Sequence, residues 1–288
     1  MGVTAEDLTW KQRTGYLNSM NEQQKEAFEK FKSELMSSEY ASILEKNADL
    51  DAFLLAYLRG TMKSKKKDRV FDVAEAKKKM IPSLEIRKKY SIDEMRINGK
   101  EPERFEEFYK LWPSFTYKDE KAKTIVSIER FGYLGNYINS KALPLEVWEE
   151  CTLWVLQLNN VMRKELREST GAEAPGSIQI IDLKGLGLGL LNRLSFVKLL
   201  TGVFQDHGPE SVMEIHVING PWVLPRLYNA VKPFLDPDTQ NKIKIHKKVP
   251  YEMFRDRLDP AMLPKEWGGD RDIVPIYPGH TPEKYVKS

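Results

Sequence analysis

One cysteine and four histidines among 288 residues leave little material for thiol or metal chemistry. Cys151 has no second thiol to pair with, which excludes an intramolecular disulfide framework and the cysteine-rich zinc modules and favours a reducing compartment. His207, His216, His246 and His280 never stand at metal-ligand spacing and no HExxH sequence occurs, so no metal site is expected. An excess of one charge is also missing: 45 Lys and Arg against 42 Asp and Glu give a net charge of +3. That balance argues against an obligate nucleic-acid binder. Long apolar runs are absent too. No window approaches the roughly 18–20 uncharged apolar residues of a spanning helix, and MGVTAEDLTWKQR has no apolar signal core. Glu6 stands where N-myristoylation needs Ser or Thr. These absences lead to the expectation of a cytoplasmic protein.

The 41% of apolar residues is enough for a core, in one large domain or two modest ones. Residues 1–19 carry little periodicity and read as an arm. Phe28, Phe31 and Leu35 recur at helical spacing, as do Leu50, Phe53, Leu54, Tyr57 and Leu58 behind Asp49. Asp72 to Glu75 resembles a capping box opening a third helix toward Tyr90, with a kink or break expected at Pro82. The basic stretch 61–69, TMKSKKKDR, reads as a solvated loop, or functionally as a contact with anionic membrane. Phe105, Phe108, Leu111 and Trp112 suggest a short helix before Pro113.

From there strands and helices alternate. Residues 123–130 read as a strand; a long helix behind Pro144 carries Val147, Cys151, Trp154, Val155, Leu158, Met162 and Leu166 on one stripe and ends at Gly171. Residues 177–183 form a further strand and 190–204 a helix. Residues 212–218, rich in β-branched side chains and closed by Asn219-Gly220, read as a buried strand. Pro221 then opens a helix over 222–235, with a broad apolar face that includes Leu227, Val231 and Phe234 and with Arg226, Asn229 and Lys232 opposite. A turn at 236–239 leads to an alternating strand at 242–246. The alternation predicts an α/β domain with a mainly parallel sheet and right-handed crossovers.

Few of these residues invite covalent chemistry. Gly185, Gly187 and Gly189 lie between a strand and a helix, where a dinucleotide fold would place its phosphate loop, but Leu190 fills the position of the last glycine and no ribose-binding acid follows. Asp182, at a strand end, has no identifiable catalytic partner, and Cys151 belongs to an apolar helix stripe. No catalytic residue is expected. The competing reading is an enzyme holding a nucleotide at the Gly185–Gly189 turn.

Four stretches resemble the CRAL-TRIO lipid-transfer proteins, the family of phosphatidylinositol/phosphatidylcholine transfer proteins and of the α-tocopherol and retinaldehyde carriers. They are IIDLKGLGLG (180–189), VINGPWVLPRLYNAVKPFLDPDTQNKIKI (217–245), LPKEWGG (263–269) and, more weakly, FLLAYLR with RVFDVAEA (53–59 and 69–76). The resemblance implies an arm (1–19), a helical N-terminal domain (20–95), a lipid-binding domain (96–270) and a tail (271–288). In the second domain a sheet would floor an apolar cavity closed by a gate helix at 222–235, with Gly268 and Gly269 in a hinge. Glu210, Thr239 and Lys242 match the family's headgroup-phosphate contacts, with Arg59 and Arg69 as further candidates around the 61–69 insertion. Gly187 and Gly189 replace two serines of the phosphatidylcholine-binding members. Expected cavity-lining residues are Val126, Ile128, Ile180, Phe196, Leu200, Ile215, Val217, Leu227, Val231 and Phe234. The implied partners are a phospholipid or other hydrophobic small molecule, phosphatidylinositol favoured, and a transient membrane surface. A peripherally associated monomer is expected, with bound lipid as cargo and no cofactor. A lipid-sensing adaptor that does not transfer would carry the same motifs.

Overall fold

A computed structural model describes residues 15–62, 70–133, 143–171 and 176–271. The basic run from 63 to 69, including Arg69, lies outside the described residues. Six helices come first: α1 (Glu22–Met36), α2 (Ala41–Leu44), α3 (Leu50–Arg59), α4 (Val73–Tyr90), α5 (Ile92–Ile97) and α6 (Phe105–Leu111). Asn21 opens α1 with a reciprocal capping box, its side chain accepting from Gln24 N–H while Gln24 accepts from the Asn21 backbone. Asp72 caps α4 by accepting from the Glu75 N–H. The expected break at Pro82 does not occur, and α4 runs through it unbroken. One lost backbone bond is tolerated in a helix whose Met80 and Leu84 are fully buried on either side.

Five strands form one sheet in the order β1 (Ser114–Asp119), β2 (Thr124–Arg130), β3 (Ser177–Asp182), β4 (Val212–Ile218) and β5 (Ile243–Ile245). β1 pairs antiparallel with β2, and every later pair is parallel. α7 (Leu145–Thr170) crosses from β2 to β3 and ends at Gly171, whose φ of 66° is the left-handed conformation glycine accepts without strain. α8 (Leu194–His207) joins β3 to β4, and α9 (Leu224–Val231) with α10 (Pro237–Lys242) joins β4 to β5. The helix expected over 222–235 is therefore shorter. It closes into a 3-10 turn over Lys232–Phe234, where Pro233 removes a donor. Lys242 ends α10 rather than opening the strand. β1 was not foreseen. α11 (Tyr251–Arg257) and short 3-10 turns complete the described chain.

Two hydrophobic cores result. One holds Phe28, Phe31, Leu35, Leu54, Leu58, Met80 and Leu84. The other begins at Ile92 and extends to Trp267 around the sheet. Strand register sets the two sheet faces. Ser127, Gln179, Ile215 and Ile243 form one row and Glu129, Ile181, Val217 and Ile245 the next, on the front face. Val126 with Ile178 and Glu214, and Ile128 with Ile180 and His216, form the back. The back face meets α11 and the turns beyond it: the His216 ring stands edge-on to Phe254 at 5.6 Å and Arg130 lies over Trp267 at 5.8 Å.

Candidate functional site

The front face is not filled. Between it and α8, α9 and the Lys232–Phe234 turn lies a cavity of about 1590 Å3. That is larger than the roughly 300–1,000 Å3 of ordinary small-molecule pockets. The floor is Gln179, Ile181, Ile215, Val217 and Ile243; Phe196, Leu200 and Phe204 of α8 form one wall; Leu224, Leu227 and Val231 of α9, with Phe234, form the cover. Leu227 is buried and points inward, while Arg226 and Asn229 are exposed on the outer side.

Seven of the expected lining residues thus stand on the cavity: Phe196, Leu200, Ile215, Val217, Leu227, Val231 and Phe234. Val126, Ile128 and Ile180 do not. They are completely buried on the back face, in register with Glu214 and His216, and it is Glu129, Gln179 and Ile181 that face the cavity. The reason is that β2 and β3 are covered on both sides, so an apolar residue at either parity is consistent with their sequence. A central parallel strand does not announce which face is hollow.

The cavity has a polar end. Arg59 from α3, Glu210 from the turn before β4, and Thr239 and Lys242 from α10 all line it, although they come from three distant stretches. Asp236 caps α10 and accepts from the Thr239 N–H at 2.9 Å and from its hydroxyl at 2.6 Å. Burial raises the Asp236 carboxyl and these bonds from Thr239 more than offset it, so it stays below the usual carboxylate range. Lys242 pairs with Asp238 at 2.6 Å. Arg59 lies over the Tyr16 ring at 4.2 Å, and its Nε is buried without a partner. This end brings a guanidinium and an ammonium group to face an anion, with the Thr239 hydroxyl proton committed to Asp236, beside carboxylates that suit hydroxyls.

A second polar point had no signal in the sequence. Glu129 reaches the cavity from the buried front of β2, about three strand spacings, or roughly 14 Å, across from β5. Burial pushes its carboxyl up to about 7 against the pull of Trp112 and Ser127 beside it.

The other candidates have structural places. The Gly185–Gly189 turn leads into a 3-10 helix rather than directly into an α-helix, and sends Leu186 and Leu190 into the cavity. Gly132 packs so closely on the Lys184 carbonyl that a Cβ would have no room. Asp182 accepts from Asn219 at 2.9 Å and from the Lys184 N–H at 3.0 Å, tying the ends of β3 and β4 together. Cys151 is buried in the core, and burial raises its thiol. Gly268 and Gly269 form a tight turn whose N–H groups donate to the Lys265 and Pro264 carbonyls, away from the cavity lining. His216 and His246, 30 residues apart, stack with ring nitrogens 2.9 Å apart on the back face.

Residues 119–269, more than half of the chain, match the CRAL/TRIO domain. The chain belongs to the CRAL/TRIO family. It is 25% identical over 261 residues to the Sec14 cytosolic factor of Schizosaccharomyces pombe, covering 89% of this chain and 85% of that protein. It is 26% identical over 276 residues to the SEC14 cytosolic factor of Kluyveromyces lactis, covering 90% and 82%. The crystal structure of Sfh5 superposes with a TM-score of 0.62 over 89% of this chain and 90% of that one, at 16% identity, a likeness of fold. Among the described residues no helix is long and apolar enough to cross a membrane.

Proposed function

We propose that this CRAL/TRIO protein binds one lipid molecule in the front cavity, phosphatidylinositol in preference to others, and carries or presents it between membranes. The observation that carries this reading is the cavity itself, about 1590 Å3 with apolar walls and a polar end where Arg59 and Lys242 stand with Glu210 and Asp238. Two acyl chains of about sixteen carbons represent roughly 25 kcal/mol of burial at about 0.8 kcal/mol per methylene, a cost that prevents unaided passage through water. A bilayer offers the same burial, so transfer is near thermoneutral in the chains and selectivity rests with the polar end. There Thr239, Lys242 and Arg59 would hold the headgroup phosphate and Glu210 its hydroxyls. α9 would act as the gate, meeting lipid with its apolar side when it opens, with Gly268 and Gly269 as the hinge. The partners are thus a lipid cargo and a transient membrane surface, met by a monomer from the cytoplasm, with no cofactor beyond the cargo.

The test is to incubate purified protein with vesicles containing phosphatidylinositol, re-isolate it, extract it with organic solvent and identify what it holds by mass spectrometry. One equivalent of lipid is expected, and protein that emerges empty refutes the reading. A vesicle-to-vesicle assay then separates carrier from sensor. Lys242→Ala is expected to lower phosphatidylinositol loading by about tenfold, the value of one charge-assisted hydrogen bond, with melting unchanged.

A further inference from the structure

A second, smaller cavity opens behind the polar end, between α3, α7 and the C-terminal end of α8. Its volume is about 60 Å3 and it is lined by three arginines, Arg59, Arg163 and Arg167, against a single carboxylate, Asp49. That carboxylate is already committed. Arg167 grips Asp49 through both guanidinium nitrogens at 2.8 Å each. Arg163 donates to the side-chain oxygen of Asn160, and no carboxylate among the described residues stands within ion-pair distance of it. Burial first, and then the charge of Arg59, lower its pKa to about 10, with Asp49 opposing them and Arg167 adding a little. Two buried nitrogens in this wall, Arg59 Nε and His207 Nδ1, have no hydrogen-bond partner.

Like charges collected in a partly buried space with an unmet guanidinium N–H are costly unless an anion joins them. We propose that this cavity is a binding site for a phosphate-type oxyanion, held by the guanidinium groups of Arg163 and Arg59, with Arg167 fixed beside them by Asp49. Guanidinium forks match tetrahedral oxyanions better than any other side chain does. The space, about 60 Å3, is several times the roughly 10–15 Å3 that one water needs and has room for a phosphoryl group. Arg59, His207, Gly208 and Pro209 line this cavity and the large one alike, so the small one is a side chamber of the headgroup end. The same chemistry can then arrive in two ways, as free phosphate or as a phosphate monoester on a phosphorylated inositol headgroup. The second route rests on the carrier reading above; the first does not.

The test uses the full chain. Thermal melting is followed while inorganic phosphate replaces chloride at constant ionic strength. In parallel, the protein is loaded from phosphatidylcholine vesicles doped with phosphatidylinositol or with its monophosphate, and the bound lipid is extracted and quantified. A saturable rise in melting temperature with phosphate, weakened about tenfold or more in Arg163→Gln, identifies a free oxyanion as the ligand. A preference for the monophosphorylated lipid that falls by a similar factor in Arg163→Gln identifies the headgroup. Wild-type protein that responds to neither overturns the proposal, and that arm needs no variant. A response that survives in full in Arg163→Gln also overturns it. Arg163→Lys, which keeps the charge and loses the fork, serves if the Gln variant does not fold; a severalfold loss is expected, and full retention again overturns the proposal. Loading of unphosphorylated phosphatidylinositol is expected to be the same in wild type and Arg163→Gln. A protein that takes up neither inositol lipid refutes the carrier reading alone and leaves the phosphate-dependent melting to decide the side chamber.

Discussion

Each face of the sheet buries one glutamate, and the two behave in opposite ways. Glu129 on the front stands at an apolar hollow, and burial pushes its carboxyl up to about 7. Glu214 on the back is equally enclosed, but Arg257 holds it through two bonds at 2.8 and 2.9 Å, and Lys244 and His216 add bonds at 2.9 and 3.0 Å. Burial alone would raise Glu214; these bonds outweigh it and hold the carboxyl well below the usual range. The lesson is a division of labour. The back face is densely packed around a carboxylate with several bonding partners and supplies stability, whereas the front face leaves apolar side chains and the Glu129 carboxyl at the edge of an open space, as a surface reserved for a ligand must.

The largest break in this contrast should come from Glu214→Ala. It leaves Arg257 and Lys244 beside a buried void, and the expected cost is about 3–5 kcal/mol by urea unfolding. The sign with pH follows from the depressed carboxyl. The unfolded chain binds the proton more readily, so Glu214 contributes fully above the ordinary pKa of about 4.3, and its contribution is lost as pH falls toward the folded value. Wild type should therefore lose stability below about pH 4 more steeply than Glu214→Ala. Parallel slopes would show that the cage around Glu214 is not what stabilises this face.

Adjacent residues on one strand sharpen the comparison next. Ile180 points to the back and is fully buried; Ile181 points into the cavity and is only partly covered. Ile180→Ala opens a void among packed side chains and should cost about 2–5 kcal/mol. Ile181→Ala only enlarges a space already present, and should cost about 1 kcal/mol in the lipid-free protein. Equal losses would mean that the front is packed as firmly as the back.

How far the sequence foretold this asymmetry depends on the kind of signal. β4 and the long α7 were legible because their apolar patterns are strong and their ends carry Asn219-Gly220 and Gly171. β1 was missed: its back-face Phe115 and Tyr117 alternate with Ser114 and Thr116, of which Thr116 bonds Ser127 at 2.5 Å, so the run is too short and too polar to stand out. The facing of β2 and β3 was misread, because periodicity groups residues without saying which group meets empty space. The polar end of the cavity could be drawn only from resemblance, since Arg59, Glu210 and Lys242 come together on its lining through tertiary packing that no local pattern encodes.

The third test acts on the front glutamate. With its folded pKa raised to about 7, Glu129 keeps a proton that the unfolded chain releases above about pH 4.3, so its effect on stability runs opposite to that of Glu214. Wild type should lose stability between about pH 4 and pH 7 and change little above that. Glu129→Gln stays neutral throughout, so it should match wild type near pH 4 and exceed it at pH 8 by about 3–4 kcal/mol, read as the difference between two urea curves. A variant no more stable than wild type at pH 8 would mean that Glu129 finds compensation the front face does not otherwise provide.

The smallest stability effect, and the most informative for function, belongs to the outer side of α9, the proposed gate. Trp222, just before α9, is 90% exposed, while Val223 beside it is buried. An indole held in water gains little for the fold, and Trp222→Ser should change unfolding free energy by no more than about 0.5 kcal/mol. At a bilayer the same side chain has an interfacial preference, and Arg226 on the exposed side of α9 can meet anionic headgroups nearby. If the front face opens toward membrane, Trp222→Ser should slow vesicle-to-vesicle transfer severalfold while the amount of lipid held at equilibrium stays the same. Transfer at the wild-type rate would place the point of membrane entry elsewhere, and a matching loss of equilibrium loading would mean that Trp222 stabilises the closed cavity instead of its approach to the bilayer.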